Sequence, residues 1–200
     1  MSQHIRVARQ YVHDHLPDIV GFVETRISRS NADQVIATLN FPCSFKVEAD
    51  GFSGGIWLCW FDHVHVEVLF HQFQFIHCRI HCKLTQRSTL ATFVYASPSS
   101  CKRRPLWDYI RYLSRHIVEP WILLGDFNAT ISTDERWGCS TPTDREFIDV
   151  IFDSCLHDLG YQGPDFTWLV TTWYFQGACA LELEFLPSHF RCHRAFLSCC

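Results

Sequence analysis

The chain is poor in several things, and each shortage narrows what it can be. Basic charge is scarce: 17 Lys and Arg stand against 21 Asp and Glu, a formal net charge of −4. That balance excludes a strongly basic binder held to nucleic acid by salt-sensitive charge alone, while leaving room for an enzyme that meets phosphate through a bound metal. No stretch approaches the ~20 consecutive apolar residues of a membrane-spanning helix. The opening Met1-Ser2-Gln3-His4-Ile5-Arg6 lacks the apolar core of a secretory signal, so a nuclear or cytoplasmic address is expected, not secretion. Internal repeats and low-complexity linkers are missing as well, which speaks against solenoids and disordered tethers. Cysteine is plentiful, but 11 is an odd number and the spacing is scattered. A disulfide framework of the small secreted kind does not fit, and the thiols read as reduced.

With 200 residues and 48% hydrophobic content, the chain suits one domain with a substantial core. Its most informative segment is Leu124-Gly125-Asp126-Phe127-Asn128, directly after the apolar run Pro120-Trp121-Ile122-Leu123-Leu124. Such a run reads as a buried strand. A carboxylate and a carboxamide then stand two residues apart at its C-terminal mouth, where α/β sheets present their ligands. Both supply oxygen donors to a hard cation or hydrogen bonds to a nucleophilic water. Alone, the same residues are also an ordinary Asx turn.

Apolar positions at Ile5, Ala8 and Val12 predict a helix over 5–15, ended by Pro17. Asp18 to Val23 predicts a buried strand delivering Glu24 and Thr25, and a second helix is expected from Ser30 or Asn31, burying Val35, Ile36 and Leu39. Phe52 to Trp60 reads as a glycine turn followed by a strand. Val64–Val68 and Ile76–Cys82 alternate strictly, which predicts antiparallel strands with one wet face. Leu90 to Tyr95 is a further apolar strand. Pro105 suits the first turn of a helix burying Leu106, Tyr109, Ile110 and Leu113. Thr143-Asp144-Arg145-Glu146 has the form of a capping box, opening a helix with Phe147, Val150, Ile151 and Cys155 inward and Gly160 as its stop.

Taken in order, the strand-end residues Glu24-Thr25, Tyr95, and Asp126 with Asn128 resemble those of the endonuclease/exonuclease/phosphatase superfamily, which includes apurinic/apyrimidinic endonucleases and DNase I. They look most like the endonuclease domain of plant LINE-type retrotransposon polyproteins. The stretches that carry the likeness are Pro17 to Thr25, Gly51-Phe52-Ser53-Gly54-Gly55-Ile56-Trp57, Val94-Tyr95-Ala96-Ser97-Pro98, Leu106-Trp107, Pro120 to Asn128, Glu135-Arg136 and Asp158 to Trp168. The resemblance covers residues 10–168 and implies a four-layer α/β sandwich of the DNase I type, with Mg²⁺- or Mn²⁺-dependent hydrolysis of phosphodiesters, DNA nicking above all. It makes Glu24 the metal-binding carboxylate, Asp126 the group that orients and helps deprotonate water, and Asn128 a hydrogen-bonding partner of the reacting phosphate or water. Tyr95 becomes a donor beside the scissile phosphate, and Trp168 an aromatic near the site. Lys102-Arg103-Arg104, read as a solvated loop near Tyr95, offers Arg103 and Arg104 to DNA phosphates.

The pattern is incomplete. The family's first strand carries an Asn ahead of the first helix found here, and family members end in Ser-Asp-His, whereas residues 169–200 contain no Asp. Ser188-His189 lacks the intervening acid. Domain limits of 1–168 and a divergent tail over 169–200, with the look of a changed reading frame, are therefore expected. So is impaired activity, and a non-catalytic remnant or nucleic-acid-binding module is the alternative. A zinc site at His77-Cys78-Arg79-Ile80-His81-Cys82 is geometrically poor, because a strand sends the two His to one face and the two Cys to the other.

Overall fold

The computed structural model describes residues 3–50, 53–131, 144–159, 178–181, 190–191 and 195–198. Helix α1 (Gln3–His15) leads through Pro17 into β1 (Ile19–Val23), followed by α2 (Arg29–Thr38), β2 (Cys43–Asp50) and β3 (Ser53–Trp60). The hairpin β4 (Val64–Gln72) and β5 (Phe75–Cys82) comes next, then β6 (Arg87–Tyr95), α3 (Ser100–His116) and β7 (Trp121–Asp126). Helix α4 (Arg145–Asp153) and four short strands, β8 (Leu156–Asp158), β9 (Ala178–Leu181), β10 (Phe190–Arg191) and β11 (Ala195–Ser198), complete the order. None of the described helices is long and apolar enough to cross a membrane.

The strands form two sheets, ordered β10-β9-β1-β3-β2 and β4-β5-β6-β7-β11-β8. Three apolar cores lie between four layers, and strand alternation assigns the residues. Ile19 and Val23 of β1, Ile56 and Leu58 of β3, Ile76, Cys78 and Ile80 of β5, and Ala91 and Phe93 of β6 meet between the sheets, with Ile122 and Leu124 of β7. Their odd-or-even neighbours face outward. Val20, Phe22, Trp57 and Cys59 pack under Ala8, Val12, Ala32 and Ile36 of the first two helices. Leu90, Val94, Trp121 and Leu123 pack under Leu106, Trp107, Ile110 and Phe147 of α3 and α4. This is the expected α/β sandwich. Gly21 sits mid-strand on β1 because a Cβ there would come within 2.4 Å of the Phe93 ring, so its bare backbone lets the two sheets close.

Several expectations need correction. Strand β2 was not anticipated, although Cys43, Phe45, Val47 and Ala49 alternate with Ser44, Lys46, Glu48 and Asp50. Helix α3 starts five residues before Pro105, so the proline lies in the second turn and forfeits a ladder bond. Lys102-Arg103-Arg104 is consequently helix, not loop. The cap of α4 is Asp144, whose side chain accepts from the Phe147 N–H, one residue past the predicted Thr143. Cys155 is exposed beyond the helix end, and Tyr109 is half-buried. Gly160 lies outside the described residues. Residues of the tail pair into both sheets: β9 runs antiparallel to β1, and β11 lies between β7 and β8.

The wet face expected on both alternating strands is found on β4, the sheet edge. On β5 it is closed at His77, which is 4% exposed, because the helix layer covers that end of the strand. The His77 ring nitrogen Nδ1 lies 2.8 Å from Thr92 Oγ1, and the Trp121 indole N–H donates to the same hydroxyl at 2.8 Å. Burial, with the nearby Arg79 charge, pulls the imidazole down to about 4 from an ordinary 6.5. A neutral imidazole held in the fold resists a proton that the unfolded chain accepts below pH 6.5. Its contribution is therefore complete above that pH and is lost as pH falls towards 4, amounting to roughly 3 kcal/mol. Urea unfolding at pH 7 and pH 4 should show a stability drop smaller by about that much in His77→Gln than in the wild type.

Candidate active site

The ends of three strands converge at one edge of the sandwich. Tyr95 closes β6 and pairs in parallel register with Asp126, which closes β7. Tyr95 belongs to the core between the sheets, and its phenol crosses that space to hydrogen-bond Glu24, the first residue after β1 in the facing sheet. The tyrosine is 4% exposed. Burial raises its pKa well above the ordinary tyrosine value, the negative charge of Glu24 and the hydrogen bond to it add to this, Asp126 adds further, and Arg26 opposes. Tyr95 is thus a fixed neutral donor at neutral pH.

Glu24 is held in the left-handed region, φ 55°, as is Arg26 at φ 53°. The segment is fixed by two backbone bonds, Thr25 N–H to Gly55 O at 3.3 Å and Arg26 N–H to Gly54 O at 3.1 Å. Non-glycine residues in this conformation store strain that only a supporting structure sustains. Arg26 then turns back, and its Nη2 donates to Glu24 Oε1. The guanidinium occupies the carboxylate as a cation would.

Beyond β7 the chain makes an Asx turn. Asp126 Oδ1 accepts the Asn128 N–H at 2.9 Å, and Asn128, at φ 47°, donates from Nδ2 to Ala96 O at 2.8 Å. The carboxamide keeps a second N–H and its carbonyl oxygen. Turn and ligand pair are therefore not alternatives here, since the turn is what fixes the two side chains. Phe127 between them is 3% exposed and stacks on Phe147 at 5.3 Å, anchoring the turn in the helix-layer core. Gly125 is obligatory: its φ is +146°, and a Cβ would stand 1.9 Å from Val94 O.

Arg103 is placed differently from the expectation. It is 5% exposed, and its Nη1 donates to Ser97 O at 2.9 Å and Pro98 O at 3.0 Å while Nη2 bonds Asp144. The expectation of a solvated side chain reaching phosphate is corrected: it braces the loop after Tyr95 against the cap of α4. Arg104 is exposed and faces Glu146, with Nε 3.4 Å from Oε1. Trp168, Glu135-Arg136 and Ser188-His189 lie outside the described residues. Two residues went unnoticed in the sequence. One is Arg26. The other is Gln74, 3% exposed, whose carbonyl accepts the Tyr95 N–H at 2.8 Å and whose Oε1 accepts the Ser97 N–H at 2.6 Å. A Gln between two phenylalanines gives no sequence signal for such a clamp.

Among the described residues no group of three or more His, Cys, Asp or Glu side chains is arranged to hold a metal. Mg²⁺ does not require one, since it commonly takes one or two carboxylates and fills its shell with water and phosphate oxygens. Glu24 meets that need: it is a carboxylate at a strand end, a fifth exposed, already paired with a cation in Arg26. The donor chemistry fits a hard divalent ion. The Cys/His run fits no metal: Cys78 and Cys82 are buried, and burial pushes the Cys78 thiol up. His77 and His81 bond Thr92 and Ser88 on the other face.

The model of the endonuclease/exonuclease/phosphatase family matches residues 1–181, running past the boundary expected at Trp168. A search of curated proteins finds no match. Solved structures share the fold. The AP endonuclease LMAP from Leishmania major is 11% identical with a TM-score of 0.59, covering 78% of this chain and 65% of its own. A mannosyl-6-phosphatase from Bacteroides thetaiotaomicron is 16% identical with a TM-score of 0.56, covering 98% and 76%. The 3′ phosphatase NExo from Neisseria, bound to a product DNA hairpin, is 15% identical with a TM-score of 0.53, covering 78% and 68%. The chain spans just under two thirds of the Leishmania protein's length.

The clash at Gly125 gives a direct check on this geometry. Gly125→Ala should cost about 3 kcal/mol or more in chemical denaturation, because it combines a forbidden φ with backbone overlap in a buried strand.

Proposed function

The chain belongs to the endonuclease/exonuclease/phosphatase family, and from that premise we propose that it is a divalent-metal-dependent phosphodiesterase that nicks DNA, of the plant LINE retrotransposon type. The observation that carries the reading is the convergence of Glu24, Tyr95 and Asp126 at the ends of three strands from both sheets. Elsewhere on this fold the molecules named range from a product DNA hairpin bound to NExo to the sugar phosphate in the name of the Bacteroides enzyme, and fold does not choose among them. The ordered set of motifs from Pro17 to Trp168 supports the LINE endonuclease reading.

In this reading Mg²⁺ or Mn²⁺ would be held by Glu24. Such an ion supplies charge neutralisation at the phosphate and acidifies water. The chain's own groups do the rest. Asp126, fixed by its bond from the Asn128 N–H, accepts the proton of the attacking water. The remaining N–H of Asn128 donates to a phosphoryl oxygen, where charge accumulates and preset donors count most. Tyr95, kept protonated by burial and by Glu24, orients the Glu24 carboxylate and presents no competing anion. With an ion held by Glu24, Arg26 would release that carboxylate, and its guanidinium would be free to meet the phosphate.

One observation favours a second reading, a nucleic-acid-binding remnant without hydrolysis: Glu24 is neutralised within the fold by Arg26. Nicking of supercoiled plasmid separates the two. The wild type with Mg²⁺ should nick, and Asp126→Ala or EDTA should each lower the rate at least about 100-fold. Absence of nicking by a folded sample, with salt-sensitive DNA binding that survives Asp126→Ala, would establish the remnant instead.

A further inference from the structure

The hairpin between β4 and β5 turns in two residues, Phe73 and Gln74, since Gln72 pairs with Phe75. Two-residue turns favour Gly, Asn or Asp, whose backbones adopt the tight geometry readily. Here a phenylalanine stands at the tip, 53% exposed. Its neighbour is the opposite in character. Gln74 is 3% exposed and uses its carbonyl, Oε1 and Nε2 on Tyr95 N–H, Ser97 N–H and Lys102 O, at 2.8, 2.6 and 2.8 Å. The tip is therefore bolted to the strand end that carries Tyr95 and to the first turn of α3. An exposed aromatic on a rigid backbone, one residue from a clamp on the active-site strand, has little conformational entropy to lose on binding a flat partner. Lys102, on the other side of the same clamp, is exposed, and no carboxylate pairs with it among the described residues.

We infer that Phe73 is a stacking platform for a base of the nucleic-acid substrate beside the active site, with Lys102 neutralising the adjoining phosphate. The inference deepens the nuclease reading and rests on it for the identity of the site. Stacking on an aromatic is tolerant of sequence, because every base has a π-face. The platform thus calls for an unstacked or single-stranded nucleotide, in preference to an intact duplex step.

The test is binding of oligonucleotides carrying 2-aminopurine, in EDTA so that no turnover intervenes, read by quenching of the base. Wild type, Phe73→Trp and the distant Phe152→Ala should bind and quench alike. Phe73→Ala should lose the quench and bind about 5- to 100-fold more weakly. Lys102→Ala should keep the quench and make affinity less salt-dependent by roughly one counterion. Equal affinity and quench in Phe73→Ala would overturn the inference, as would failure of the wild type to bind any oligonucleotide. Plasmid nicking by the same samples judges the hydrolytic reading separately, so a negative result on Phe73 leaves that reading to its own evidence.

Discussion

The parallel pairing of β6 with β7 is the constraint on which the rest of the molecule turns. It is the one parallel ladder among the described residues, set in a sheet whose other described pairs are antiparallel. A parallel pair needs a crossover, and α3 supplies it, packing Leu106, Trp107 and Ile110 onto the outer face of the strands it joins. The same ladder brings two strand ends level, so Tyr95 and Asp126 stand side by side. Gly125 lets the backbones approach at that level, and the Ala96 N–H extends the ladder to Asp126 O at 2.8 Å. Fold and site are specified by one feature.

The facing sheet contributes through Tyr95. An inward position on β6 would ordinarily carry a wholly apolar residue, as Ala91 and Phe93 do. Placing a phenol there brings a polar tip to the end of β1, where Glu24 satisfies it. The arrangement concentrates carboxylates where solvent is partly excluded, and the cost of that concentration is offset by Arg26 and by the neutral phenol. A site with two acids, a protonated donor and one displaceable cation suits phosphate chemistry better than it suits structural stability.

Much of this was legible in the sequence because the signals were local. Pro120 to Asn128 named a buried strand and the turn that ends it, and the motifs from Pro17 to Trp168 pointed to the family. Helices α1 to α4 and strands β1 and β3 to β7 follow the periodicities that predicted them, whereas β2 and the short strands β8 to β11 were not predicted. Strand β2 was missed although its alternation was present in Cys43 to Asp50. Arg103 was misplaced because a basic triplet before a proline reads as surface, and only the fold shows carbonyls of Ser97 and Pro98 waiting for its guanidinium. His77 was expected in water because alternation reports two faces but not which of them a helix will cover. The role of Gln74 depends on contacts across strands, which no linear motif encodes, and the pairing of Arg26 with Glu24 two residues back depends on the left-handed backbone at both.

That the converging strand ends form one metal-dependent site is most directly tested by Mn²⁺ binding, followed by electron paramagnetic resonance on the wild type and on Glu24→Gln. Loss of one carboxylate ligand should weaken Mn²⁺ by at least about tenfold while leaving the fold intact by circular dichroism. Equal Mn²⁺ affinity in the two proteins would contradict the account, because Glu24 would then be a strand-end carboxylate serving only Arg26 and Tyr95.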